Sequence, residues 1–283
     1  MYAEGGDEGA APMLGGGKRF NLEGLIPLVL LVIIGIASLN YFGVVDIPYL
    51  PKGSSHMQVL IIGEPSIGEK AVLDNMTGMV TYRIMDASSF SYGASETLHQ
   101  YDIVIFDQSN ISDKSVTISL AEAIKTYVSK GGKLIVVKNS GIYQSVGFAG
   151  LTASDVTNWK ANFGNIIPAD CVLGPNNVPT CAPASAINMV GRIYSMSFDH
   201  PIMAGIEISP PAGEAPYQGL EVFPIQANEG ATTIAYMKAE NSIQSVPAII
   251  EKKAFPLGGT VIYFNYDPGA TLGILKNTLL YLK

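Results

Sequence analysis

Gln58-Val-Leu-Ile-Ile-Gly63 is a continuous apolar run, ended by Gly and followed by Glu64 and Pro65. A strand apolar on both faces is covered on both, which points to the middle of a parallel sheet. Two further stretches repeat the pattern: Tyr101-Asp-Ile-Val-Ile-Phe-Asp107 and Lys133-Leu-Ile-Val-Val-Lys138. Between them the spacing turns helical, with Ile67, Ala71, Val72 and Leu73 inside 66–76, a short helix at 94–99, and a longer amphipathic one at 112–130 stopped by Gly131-Gly132. Residues 79–85 alternate as a further strand. β and α taking turns predicts a flavodoxin-like, doubly wound, mostly parallel sheet with right-handed crossovers.

Outward from this frame the pattern changes twice. From 139 to about 215 Gly, Pro, Ser and Asn dominate, and the chain's one Trp, Trp159, lies here. This reads as an irregular insertion with a short helix at 154–163. Regularity returns with strands at 221–226, 232–238, 246–251 and 259–265, then a closing helix at 270–282 with Leu272, Leu275, Leu279 and Leu282 as its apolar stripe. Residues 58–283 are long enough for one large domain.

The N-terminal side has a different character. Residues 24–45 carry no charge, and thirteen of the twenty-two are Leu, Ile or Val. As a helix they would rise roughly 33 Å, against a hydrocarbon core of about 30 Å. The reading is a tail at 1–19 without fixed structure, a transmembrane helix at 20–45 and a linker at 46–57, so membrane lipid is the first partner expected. Lys18 and Arg19 precede the span and Lys52 follows it, which places the N-terminus in the cytoplasm and the long domain outside. Lys18-Arg-Phe-Asn-Leu-Glu23 also loosely resembles a pilin leader, which leaves open a surface-filament subunit. Cleavage of the segment as a signal peptide is a further alternative.

Charge and cysteines narrow the class. Residues 58–283 hold fourteen bases against nineteen acids, with no basic stripe, which excludes nucleic-acid binding. Cys171 and Cys181 stand ten apart in a Pro-rich segment; outside the membrane a disulfide is expected, and two buried thiols if the domain is cytosolic. Neither Cys-x-x-Cys spacing nor nearby His supports zinc, and no metal or cofactor is expected. His56 falls in the linker and reads as exposed. Two Asn-x-Ser/Thr triplets occur, at Asn75 and Asn110.

Several local sequences together resemble one superfamily. Tyr101-Asp-Ile-Val-Ile, Lys130-Gly-Gly-Lys-Leu-Ile-Val-Val, Asp199-His-Pro-Ile-Met-Ala-Gly205, Val246-Pro-Ala-Ile-Ile and Gly259-Thr-Val-Ile-Tyr-Phe-Asn-Tyr-Asp267 follow one another in that order. The set resembles the class I glutamine-amidotransferase-like superfamily, in its trehalose-utilisation-protein-like branch, over nearly all of 58–283. The resemblance implies a site at the carboxyl ends of the parallel strands, where the rule for open α/β sheets also places ligands. It further implies a nucleophile, usually Cys flanked by Gly, on a strained strand-to-helix turn.

The matching turn reads Lys138-Asn139-Ser140-Gly141, without Cys, and no His-x-Glu pair follows near the C-terminus. Amidotransferase activity is therefore not expected, and the chain reads as a non-catalytic, extracytoplasmic binding or scaffolding protein facing other envelope proteins or glycans. The alternative is a tethered hydrolase in which His200 serves Ser140 as a base; otherwise His200 braces the turn begun by Pro201. Glu64, Ser66, Asp107, Asn139, Ser140 and His200 are the ligand-binding candidates. Glu64, Asp107 and Asp267 each close a strand and also suit the capping of a following helix.

Overall fold

The computed structural model describes residues 22–41, 56–145, 152–153, 158–174, 177–240, 242–254 and 258–283. The chain divides into two units, 1–55 and 56–283. In the first, helix α1 runs Leu22–Tyr41 with Pro27 near its start. Its described side chains, 26–39, are almost all exposed, among them Leu31, Ile33 and Ile34. Among the described residues no helix is long and apolar enough to cross a membrane. The expected tail and most of the expected linker lie outside the described residues; His56 is exposed, and Met57 already belongs to the first strand.

The second unit follows in chain order. β1 (Met57–Gly63), α2 (Ile67–Asn75), β2 (Val80–Met85), α3 (Ala94–Leu98) and β3 (Ile103–Asp107) come first. β4 (Ser115–Thr117), α4 (Ile118–Ser129), β5 (Lys133–Val137), β6 (Tyr143–Ser145), β7 (Thr152–Ala153), α5 (Trp159–Phe163) and β8 (Ala169–Asp170) follow. β9 (Ile187–Ser195), β10 (Ile208–Ser209), β11 (Tyr217–Val222), β12 (Gln226–Ala227), β13 (Thr232–Ala239), β14 (Ser245–Lys253), β15 (Thr260–Phe264) and α6 (Leu272–Leu282) complete it.

The large sheet has the order β10-β9-β13-β14-β15-β5-β3-β1-β2, with β11 also paired to β9. From β2 to β15 all pairings are parallel. Counted along the chain, these five strands stand in the flavodoxin-like order 2-1-3-4-5. From β15 outward the pairings are antiparallel. The expected mostly parallel sheet is thus one parallel half joined to an antiparallel half. The reason is local: β13 and β14 are joined by a short turn, with no helix to carry a crossover.

Alternate residues of the parallel strands feed two cores. Val59, Ile61, Ile135, Val137, Ile262 and Phe264 pack against α2 and α6 through Leu73, Ile274, Leu275 and Leu279. Leu60, Ile62, Leu134, Val136 and Tyr263 pack on the opposite face against Leu98, Leu120, Ile124, Trp159 and Phe163. Leu272 is the exception to the predicted stripe of α6: at the helix start, it is half exposed.

Three expectations need correction. The helix foreseen over 112–130 begins only at Ile118, because Ser115–Thr117 pairs with β6 and the Thr117 hydroxyl accepts from Leu120 N–H at 3.1 Å, capping α4. The segment 139–215 is not uniformly irregular: it contains β9, nine residues in the sheet with buried Met189, Gly191 and Ile193 on one face. Gly191 resembles a loop signal but serves close strand approach, since a Cβ there would overlap the carbonyl of Lys238. The short helix foreseen at 154–163 is confined, among the described residues, to Trp159–Phe163, capped by Asn158. Cys171 and Cys181 form the disulfide, with Cα atoms 5.3 Å apart.

Candidate functional site

Several buried ionisable groups gather at the carboxyl ends of the parallel strands, among them Glu69, Asp107, Lys114 and Lys138. Ser66 caps α2 through a capping box: its hydroxyl accepts from Glu69 N–H at 3.2 Å, and its own N–H donates to Glu69 Oε2 at 2.8 Å. That box turns Glu69 inward, where it is buried beside the equally buried Asp107 at the end of β3. The two carboxyls lie against each other. Glu69 Oε1 and Asp107 Oδ2 are buried without a hydrogen-bond partner among the described residues. Burial first, then the charge of Asp107, pushes Glu69 up to about 10, and burial raises Asp107 as well. Asp107 Oδ1 accepts from Ser109 N–H at 2.7 Å, which makes a turn rather than a helix cap. Asp267 does cap, accepting from Gly269 N–H at 2.8 Å in the single turn 268–270.

Two lysines stand beside the acids. Lys114 is buried, and its Nζ donates to the carbonyls of Gln108 and Ser109. Burial and then the neighbouring Lys138 cation lower it to about 8. Lys138, directly after β5, has φ 50°, one of two left-handed non-glycine residues among those described. Its N–H donates to Phe264 O at 2.7 Å, and its ammonium pairs with Glu221 of β11. The strained position of the turn is therefore Lys138, two residues before the Ser140 that sequence reading put forward. Glu69, Lys114 and Lys138 were all missed. The Ser66-x-x-Glu69 spacing was the available signal for the first, while a lysine closing an apolar strand looks like any solvated end.

Ser140 is not poised for attack. It is fully buried; its hydroxyl donates to Val137 O at 2.7 Å and accepts from Gln108 N–H at 2.7 Å. Trp159 Nε1 donates to its carbonyl at 2.8 Å, and Gly141 N–H donates to Gln108 Oε1 at 2.8 Å. Asn139 is buried beside it.

His200 lies on the other side of the sheet. Its Nδ1 accepts from Ile202 N–H at 3.3 Å, capping the turn 201–203. Its Nε2 sits 3.4 Å from Glu251 of β14, and its ring packs edge-on to Tyr281 of α6 at 5.0 Å. Tyr281 borders the core under α2 and α6, whereas Trp159 belongs to the opposite core. The sheet separates Ser140 from His200, and the bracing role foreseen for His200 is the one its contacts describe.

The position between β1 and β3, where the strand order reverses, is closed by the chain itself. Glu64 N–H donates to Asp107 O at 2.8 Å, and the exposed Asn110 donates its amide to Glu64 O at 3.1 Å. Gly63, at φ 118°, lets the two backbones meet where a Cβ would overlap Asp107 O. A groove of about 520 Å³ opens elsewhere, between 205–212 and the start of α6, and is lined by Ile206, Ser209, Tyr217, Thr271 and Leu272 among others. None of the foreseen site residues lines it. Among the described residues no cluster of His, Cys, Asp and Glu is placed to hold a metal ion.

Strand order defines 56–283 as a flavodoxin-like α/β domain with an antiparallel extension. No protein-family model and no curated protein matches the chain. Among solved structures it is similar to the cold-adapted β-galactosidase of Rahnella sp. R3, at 11% identity and TM-score 0.49, over 83% of this chain and 33% of that one. A ThuA-like protein from Parabacteroides merdae aligns at 8% identity and TM-score 0.46, over 81% and 91%. A GMP synthase protein from Thermoplasma acidophilum aligns at 12% identity and TM-score 0.40, over 80% and 96%. The chain spans about a third of the length of the β-galactosidases it matches.

Proposed function

We propose that the protein is a non-catalytic binding or scaffolding module, tethered to a membrane by segment 20–45, whose domain stands outside the cytoplasm against other envelope proteins or glycans. One observation carries it: the strained turn after β5 presents Lys138, ion-paired to Glu221, where the resembling enzymes present a nucleophile. The nearby hydroxyl of Ser140 is spent in both directions. Catalysis by such a turn needs an exposed attacking atom with a base beside it, and here the base foreseen is across the sheet.

Two features support the tether and its side. Segment 24–45 is uncharged, and α1 beyond Glu23 is almost wholly apolar, which in a stable protein calls for an apolar surrounding. The disulfide suits an oxidising compartment. To test the reading, the detergent-solubilised full chain is screened on ester, amide and glycoside substrates beside Ser140→Ala. The expected result is no turnover that the substitution removes. Reproducible turnover lost in Ser140→Ala overturns the proposal.

A further inference from the structure

We infer that Asn75 is an N-glycosylation site and that Asn110 is not, an inference that rests on the proposed placement of the domain outside the cytoplasm. Both residues open an Asn-x-Ser/Thr triplet, so sequence alone treats them alike. Their surroundings differ. Asn75 is the last residue of α2 and is exposed, and its amide has no hydrogen-bond partner among the described residues. Thr77 is exposed as well, while Met76 between them turns into the core. Acceptor amide and hydroxyl are therefore both open to solvent. Asn110 instead spends its amide on Glu64 O at 3.1 Å, one of the bonds closing the β1/β3 crevice. A glycan there would cost that bond.

The location gives the modification a physical use. α2 ends beside the start of β2, where Val80 N–H donates to Met76 O at 2.8 Å. Among the described residues β2 is a terminal strand paired to β1 alone, so its outer side offers backbone groups to another chain. A bulky hydrophilic group at the head of that strand blocks edge-to-edge pairing. The donor class is an oligosaccharide on a polyisoprenyl phosphate or pyrophosphate, delivered by a membrane transferase. Asn75 Nδ2 forms a bond to the anomeric carbon, the carbon–oxygen bond to phosphate breaks, and its electron pair leaves with the phosphate. The Nδ2 proton passes to a base of the transferase.

The test uses the full chain expressed in a host whose export pathway glycosylates asparagine. Peptide mass spectrometry reads both triplets and the thiol state of Cys171 and Cys181 in one sample. The expected result is an oxidised disulfide with a glycan at Asn75, lost in Asn75→Gln and in Thr77→Ala and kept in Asn110→Gln. An oxidised disulfide with Asn75 bare, or with the glycan on Asn110, overturns the inference and leaves the placement standing. Free thiols with no glycan overturn the placement itself.

Discussion

The parallel and antiparallel halves of this sheet meet the same demand, burial without orphaned polar groups, in different ways. β1, β3 and β5 are buried almost end to end, so their ionisable neighbours collect at the carboxyl ends and must satisfy one another there. Glu69 lies against Asp107, and Lys138 pairs with Glu221. β9 and β13 keep one face partly open, and their charges reach outward: Arg192 donates to the carbonyls of Pro210 and Pro211 at 2.9 and 2.8 Å, and Lys238 lies over the Tyr194 ring at 5.0 Å. The difference teaches where this fold is sensitive. Polar changes should be costly at the parallel carboxyl edge and mild on the antiparallel faces.

The largest effect expected is at Trp159, which is buried, packs edge-on to Tyr263 at 5.4 Å and holds the Ser140 carbonyl. Trp159→Ala should cost about 3–5 kcal/mol in a denaturant series followed by circular dichroism; a loss under about 1 kcal/mol breaks the contrast. Next comes the loop closed by Cys171 and Cys181. Replacing both by Ser should lower stability by about 2.5–3 kcal/mol under oxidising conditions, and reductant should erase the difference from the unchanged chain.

Glu69 sharpens the contrast through pH. Its folded value, about 10, lies above the ordinary 4.5, so between these limits the unfolded chain holds fewer protons than the folded one. Its contribution is therefore whole below about 4.5 and lost as pH rises toward 10. Glu69→Gln keeps an acceptor for Ser66 N–H and cannot ionise, so urea titrations at pH 8 should show a gain of roughly 1–3 kcal/mol, absent at pH 4. A variant that tracks the unchanged chain at both pH values contradicts the buried acid pair. The smallest effect is at His200, whose cap on 201–203 is worth about 1 kcal/mol. His200→Ala should lose it and His200→Asn should restore most of it; equal losses would mean that the contact with Tyr281 matters more than the cap.

The parallel half was legible because strands covered on both faces read as unbroken apolar runs, as at Val59–Ile62 and Leu134–Val137. β9 was not, because its half-open pattern puts Asn188 and Arg192 among buried Met189 and Ile193 and includes a glycine. The site was legible as a place and only partly as residues. Ser66, Asp107, Asn139 and Ser140 do lie at the carboxyl edge, but whether the Ser140 hydroxyl is free or spent depends on Gln108, 32 positions away along the chain. The left-handed backbone of Lys138 is likewise imposed by the pairing of β5 with β15 and leaves no mark in composition. His200 was readable through Pro201, since a capping residue ahead of proline is a local signal.

The Ser140 hydroxyl in the turn after β5 is not free to attack. Intact-mass measurement of the full chain after incubation with a serine-reactive fluorophosphonate addresses it directly. The expected result is an unmodified mass, because the Ser140 hydroxyl is buried and bonded in both directions. A stoichiometric adduct mapped to Ser140 would contradict it.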